Sequence, residues 1–178
     1  MTWAEYLALE SGSDRKHEYV NGWVYAMAGG TPEHARLQGR LIQQLGMALR
    51  GRPCEAFTSD LRVKVTETGR ATYPDVTIVC DRIERADDDP DAATNPTLLV
   101  EVLSESTEAD DRGSKWAHYQ RIPSLRHYVL VSQDEPRVEI FTREATGWHY
   151  VVHRSGPAAL PALGISIDVD DLYARALG

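Results

Sequence analysis

The segment Leu98-Leu99-Val100-Glu101-Val102-Leu103 constrains this chain most. Five of its six residues are apolar at alternating and intervening positions alike, the pattern of a β-strand covered on both faces, so the fold must set a layer above and a layer below one sheet. Tyr128-Val129-Leu130-Val131 reads as a second interior strand. Glu101 is the exception in the first run. An ionised carboxylate buried alone costs several kcal/mol even after relaxation, so the fold must give it a cation, a metal ion or hydrogen-bond donors.

The rest of the composition is ordinary. The chain has 178 residues, 42% hydrophobic and 26% charged, which fits a single domain over residues 1–178 able to bury its core without disulfides or structural metal. Disorder and collagen-like repeats are excluded. No stretch approaches the ~20 apolar residues of a membrane helix and Glu5 comes early, so the expectation is a soluble, cytoplasmic protein without signal or membrane span. Cys54 and Cys80 stand outside any CxxC spacing and read as small buried thiols in a reducing compartment. The 27 acidic residues against 19 basic give a net charge of −8, and this argues against indiscriminate coating of nucleic acid. It leaves room for an enzyme acting on nucleic acid, because carboxylates clustered at a metal site themselves make a chain acidic.

Local signals lay out the elements. Trp3, Tyr6 and Leu7 have helical spacing, and the turn-rich Ser11 to Asp14 follows. Asn21-Gly22 between Glu18-Tyr19-Val20 and Trp23-Val24-Tyr25 predicts a hairpin with Val20 opposite Trp23 and Glu18 opposite Tyr25. Thr31-Pro32-Glu33-His34 starts a helix to about Leu49, with Leu37, Leu41 and Leu45 on its core face. Strand-like segments run from Cys54 to Val65 and from Tyr73 to Cys80, and the Asp-rich residues 81–96 read as a solvated loop. A helix over Asp110–Arg121 ends at Pro123; Val138 to Phe141 pairs with Trp148 to Val152; and Asp168 to Leu177 closes as a helix. The order predicts an α/β (α+β) fold around a mixed central sheet.

The chemistry gathers around Glu101. Asp75 begins the apolar run Val76-Thr77-Ile78-Val79, and adjacent strands would bring it beside Glu101. Two such carboxylates within ~4–6 Å call for a cation between them, and oxygen-only ligands suit Mg²⁺ or Mn²⁺. Lys115 follows fourteen residues later on the next helix, with Asp111 one turn before it and Tyr119 one turn after. If that helix packs on the Glu101 strand, the ammonium reaches the carboxylates and a substrate phosphate, the arrangement for metal-assisted phosphodiester hydrolysis. Each residue has a plainer reading: Asp75 as a strand start after Pro74, Glu101 paired to an arginine, and Asp111/Lys115 as a surface i,i+4 ion pair.

His17-Glu18-Tyr19-Val20-Asn21-Gly22, Ser59-Asp60-Leu61-Arg62-Val63-Lys64-Val65, Tyr73-Pro74-Asp75-Val76, Leu99-Val100-Glu101-Val102-Leu103-Ser104, Asp111-Arg112-Gly113 with Lys115, and Tyr128-Val129-Leu130-Val131 together resemble the Uma2 family, over about Trp3 to Tyr173. These are bacterial restriction-endonuclease-like domains of the PD-(D/E)xK nuclease superfamily. The resemblance implies a restriction-endonuclease-like core with an N-terminal β-hairpin, Asp75 and Glu101 as metal-binding acids, and Glu18 as an early acidic site residue. The usual lysine two residues after the second acid is missing, since Leu103 stands there, and the family pattern supplies Lys115 instead. Similar proteins carry an acid where this chain has Trp23 and a proline where it has Glu105. His34 and Asp60 are candidate supporting groups with Tyr119; His34 reads equally as a helix-start histidine satisfied by its neighbours.

The functional expectation is a Mg²⁺- or Mn²⁺-dependent endonuclease cutting DNA, with Asp75, Glu101, Lys115 and Glu18 in catalysis and a homodimer to address two strands. RNA is a further substrate the sequence does not separate from DNA. The alternative is a nuclease-derived binding or regulatory module without efficient turnover, consistent with the acidic charge and with no recognisable sequence-reading element.

Overall fold

A computed structural model describes residues 1–27 and 29–174. Helix α1 (Trp3–Ser11) starts with a reciprocal cap, in which Thr2 accepts from the Glu5 amide and Glu5 accepts from the Thr2 amide. Strands β1 (His17–Val20) and β2 (Trp23–Ala26) form the expected hairpin in the expected register. Asn21 and Gly22 take φ of +50° and +85°, as a two-residue primed turn requires. Thr31 caps α2 (Pro32–Ala48) by accepting from the His34 amide.

Strands β3 (Cys54–Thr58), β4 (Arg62–Val65), β5 (Arg70–Thr72), β6 (Val76–Cys80), β7 (Arg85–Ala86), β8 (Asp89–Ala93) and β9 (Leu98–Val102) follow. Then come α3 (Glu108–Asp110), a π-helical turn (Asp111–Lys115) and α4 (Trp116–Tyr119). The chain continues through β10 (His127–Val131), β11 (Val138–Glu144), β12 (Gly147–His153), β13 (Pro157–Leu160), β14 (Ile165–Asp168) and α5 (Val169–Tyr173). One six-stranded sheet runs β2-β1-β5-β4-β8-β7, a second runs β12-β11-β10-β9-β6-β3, and β13-β14 forms a separate ribbon. Neighbours are antiparallel except β4/β8 and β9/β10, so both large sheets are mixed.

The second sheet is covered on both faces, as the Leu98–Leu103 pattern requires. Leu98, Val100 and Val102 pack with Leu37, Leu41 and Leu45 of α2. Leu99 and Leu103 face the other way, against Val63 and Val65 of the first sheet, Tyr119 at the end of α4 and Ile122 just after it. Each fully buried leucine or valine contributes about 1.5–3 kcal/mol. The far face of the first sheet is closed by α1, where Tyr6 and Tyr19 rings lie 5.2 Å apart.

Several expectations need correction. The mixed sheet is two sheets, because Thr58 to Leu61 turns the chain and sends β3 and β4 into different ones. Residues 81–96 hold the β7–β8 hairpin, and Asp89 there is buried by a two-bond pairing with Arg62, at 2.7 and 2.8 Å. The helix over 110–121 is broken by the π turn. Cys54 and Cys80 stand directly opposite in the β3/β6 pair and form a disulfide in place of two thiols. The last helix spans Val169–Tyr173, and the part expected beyond residue 174 lies outside the described residues.

Candidate active site

Strand alternation puts Glu101 on the Leu99/Leu103 side of β9, facing the first sheet and the π turn. Its Oε1 accepts from Lys115 Nζ at 3.2 Å and from the Tyr119 hydroxyl at 2.9 Å. Val76 opposes Val100 in the β6/β9 pair, so one residue further Asp75 stands beside Glu101. Asp75 Oδ2 accepts from the Val102 amide at 2.7 Å, and His34 Nε2 lies 3.2 Å from the same oxygen. Gln38, one helical turn after His34, donates to the Asp75 carbonyl at 3.0 Å. The first turn of α2 and the β9 backbone therefore fix Asp75 together.

Lys115 Nζ is ringed by carboxylates from three elements. It lies 2.9 Å from Asp111 Oδ1 on the π turn, 3.2 Å from Glu101 Oε1 on β9 and 3.3 Å from Glu18 Oε1 on β1. The Asp111 contact is ionic with angles short of a hydrogen bond, which leaves Oδ1 a buried acceptor with no donor among the described residues. Glu18 also accepts from Thr72 and from Arg70, 3.3 Å away, and Arg70 reaches on to Asp110 and Ser114. Arg70 thus ties the hairpin to the helical segment that presents Lys115. The Tyr128 hydroxyl donates to the Asp111 carbonyl at 2.9 Å and holds the wide turn to β10. π turns of this kind recur at functional sites.

Charge in the cluster is unbalanced, since Glu18, Asp75, Glu101 and Asp111 face Lys115, and Arg70 is shared with Asp110. Burial pushes the Glu101 carboxyl well above the ordinary carboxylate range; Lys115 pulls it back only in part, and the neighbouring acids add to the rise. Burial also raises Asp111, against the pull of Lys115. For Lys115, burial favours the neutral amine, but Glu101, Glu18 and Asp111 together outweigh it and hold the ammonium charged well past the usual lysine value. Burial works against the charge of Glu18 too, yet Lys115, Thr72 and Arg70 bring its pKa below the ordinary value. The hydrogen bond to Asp75 raises His34, with burial opposing. The cluster is consistent: the lysine keeps its proton, and Glu101 is the acid that most lacks a counter-charge.

The structure brings Glu18, Asp75, Glu101, Lys115, His34 and Tyr119 into one cluster. Asp60 stays outside it, exposed and ion-paired with Lys16. Asp111 and Lys115, spaced like a surface pair, are 1% and 6% exposed, because the π turn points both into the sheets. No sequence signal singles out Arg70, Thr72 or Tyr128; only the tertiary fold connects them to Glu101. Two concavities elsewhere, of about 150 Å³ beyond Trp116 and about 590 Å³ beside Cys54, do not include these acids.

Residues 3–170 match the family described as "Uma2: Putative restriction endonuclease". The chain belongs to the Uma2 family. Two uncharacterised Synechocystis proteins are similar to it: slr1290, 37% identical over 95% of this chain and 89% of that one, and sll1609, 35% identical over 80% and 81%. Among solved structures, the Uma2 chain is similar to a protein from Anabaena variabilis described as a "putative nuclease belonging to DUF820", with a TM-score of 0.79, 18% identity and 97% of each chain covered. At that identity the likeness shows the fold, a mixed α+β nuclease-like one. Family and fold together support a nuclease. No helix among the described residues is long and apolar enough to cross a membrane.

Proposed function

We propose that this Uma2 chain is a divalent-metal-dependent endonuclease that hydrolyses phosphodiester bonds in DNA, and that it works as a two-fold pair. The observation that carries the reading is the buried ammonium of Lys115 held by acids from three elements, with Asp75 next in register to Glu101.

The residues fit an Mg²⁺-type ion. The donors are oxygens, and among the described residues no hydrogen-bond donor reaches Asp75 Oδ1 or Glu101 Oε2. Among the described residues no group of three or more His, Cys, Asp or Glu is placed to hold a metal ion by itself. Mg²⁺ keeps several waters and commonly takes one or two carboxylates plus substrate phosphate, so the two acids Asp75 and Glu101 are enough for it. Asp75 and Glu101 would hold the ion, which when bound supplies an acidified water and charge neutralisation at the scissile phosphate.

The chain's own groups do the positioning. His34 and the Val102 amide hold Asp75 in its orientation. Tyr119 fixes Oε1 of Glu101, so Oε2 would be the oxygen available to an ion. Lys115 has three N–H donors, so it can keep one acid and turn another donor to a phosphate oxygen or the attacking water. Glu18 and Asp111 hold that ammonium in place and charged.

Cleavage of supercoiled plasmid and of single-stranded DNA and RNA, with Mg²⁺ or Mn²⁺ and with chelator, tests the proposal. Wild type should cut DNA only with metal, and Asp75→Asn, Glu101→Gln and Lys115→Ala should each lose about 10²-fold or more. A wild-type rate no faster than that of Glu101→Gln overturns it. That outcome supports the binding-module reading, which one observation favours: Arg62, Lys64 and Arg70 of the first sheet are already paired with acids, which limits the cations free for phosphate.

A further inference from the structure

Strand β12 is the outer strand of the second sheet. Outer strands expose a row of backbone N–H and C=O groups, and proteins usually blunt them by shortness, charge or proline. β7 has two residues, β2 has four, and β3 is tied to β6 by the disulfide. β12 has seven residues, and Ala145 to His153 contains no Asp, Glu, Lys, Arg or Pro. Tyr150, Val151 and Val152 are 49%, 37% and 39% exposed.

The register shows which groups are unpaired. β11 and β12 are joined by the two-residue loop Ala145-Thr146, so the flanking Glu144/Gly147 pair is the hydrogen-bonded kind and the kinds alternate from there. Thr142/His149 and Ile140/Val151 then bond across the pair, and the N–H and C=O groups of Trp148, Tyr150 and Val152 point away from β11. An antiparallel strand whose outward groups fall at the same spacing, with an uncharged apolar surface, completes them. β12 itself is such a strand.

We propose that β12 is a self-pairing edge. Two copies of this chain join antiparallel about a two-fold axis at Tyr150, turning two six-stranded sheets into one of twelve strands. In that register Trp148 bonds Val152 of the partner copy, Tyr150 bonds its own counterpart, and about six backbone hydrogen bonds form. Tyr150 rings meet on one face beside Trp148/Val152 pairs, and His149 meets Val151 on the other, all combinations that favour strand pairing. No like charges face each other, which matters for chains that each carry −8. The interface is small, so association is expected on the order of micromolar. The inference is independent of the metal site and goes beyond the nuclease reading by naming the surface.

Sedimentation velocity of the full chain from about 1 to 100 μM tests it without any cleavage assay. Wild type should pass from monomer to dimer. Tyr150→Lys sets two ammonium groups on the axis and should weaken the dimer about tenfold or more, with circular dichroism unchanged. Tyr150→Cys should form a covalent dimer under mild oxidation, because facing Cα atoms in a hydrogen-bonded pair are about 5.5 Å apart, within disulfide range. Val151→Cys, two residues out of register with its counterpart, should not. A wild type monomeric throughout, a Tyr150→Lys dimer as tight as wild type, or a Tyr150→Cys dimer that oxidation does not cross-link would each overturn the proposal.

Discussion

Replacing Lys115 by methionine keeps the stem's volume and removes the charge. The side chain is 6% exposed and its ammonium lies 2.9–3.3 Å from three carboxylates, so Lys115→Met would strand acids that are themselves buried. Removing one partner of a buried ion pair costs about 3–5 kcal/mol. For a domain of this size that lowers Tm by roughly 6–20 °C. The pH dependence is what identifies the cause. Lys115, with its folded pKa raised, stabilises the fold below its unfolded value near 10.4, so between about pH 5 and 8 its own titration adds no slope. The slope in the variant comes from Glu18, Glu101 and Asp111. Without the ammonium the already raised pKa values of Glu101 and Asp111 rise further and Glu18 loses the partner that most lowers its own, so the variant's native state binds more protons than the wild type's and its stability falls more steeply as pH rises. The penalty should therefore be full near pH 8 and shrink to roughly 1–2 kcal/mol near pH 5, where the acids are partly protonated. Urea denaturation of both proteins at several pH values measures it. A penalty that is the same at pH 5 and pH 8 would falsify the account, since lost packing alone does not titrate.

Glu101→Gln should separate stability from activity. The folded pKa of Glu101 is raised, so its destabilising effect is absent below about 4.3 and grows as pH rises; the amide should gain about 0.5–2 kcal/mol near pH 8 and nothing near pH 4, while cleavage is lost. Equal or lower urea midpoints at pH 8 would count against the unbalanced charge. Tyr128→Phe removes the donor to the Asp111 carbonyl and should cost about 1–2 kcal/mol in urea, whereas an unchanged midpoint would mean the π turn does not depend on that bond. Reducing the Cys54–Cys80 disulfide, which spans 26 residues, should remove roughly 3.5 kcal/mol by the loop-entropy relation, read as a lower Tm in dithiothreitol. Two thiols reacting with a thiol reagent in the native protein would contradict the bridge.

The parts of this fold that are legible from the residues are those with strong local causes. Asn21-Gly22 demands positive φ twice and yields one register, so the positions of Glu18 and Tyr25 follow from turn chemistry alone. The Leu37/Leu41/Leu45 stripe and the Leu98–Leu103 run each define the faces they bury. Long-range pairing leaves weaker traces. Arg62 and Lys64 alternate along β4 as solvent-facing residues would, whereas Asp89, Asp88 and nearby aromatic rings cover them from distant segments. The Asp-rich β7–β8 hairpin reads as a loop for the same reason, since Asp89 is buried only because Arg62 is there to meet it. Cys54 and Cys80 face each other because of the β3/β6 register, which no local spacing encodes.

Leu103 shows how the site and the core are linked. It lies two residues after Glu101 and so on the same side of the chain, the position where the wider nuclease pattern supplies a lysine. Here that side chain is 5% exposed among Leu99, Val63 and Val65. An ammonium there would have to leave the apolar layer between the two sheets to find a carboxylate, at a desolvation cost that the existing packing avoids. Lys115 reaches Glu101 from the π turn instead, with Asp111 of the same turn against its ammonium. Residues four apart share a face in regular α geometry as well, so what the extra residue of the π turn sets is the rotation of Asp111 and Lys115 together relative to the helical residues on either side. Deleting Gly113, which shortens that turn by one residue, should therefore remove the Lys115–Glu101 contact while leaving both sheets folded. The pH-dependent part of the Lys115→Met penalty should vanish in that background; if it persists at full size, the turn is not what delivers the lysine.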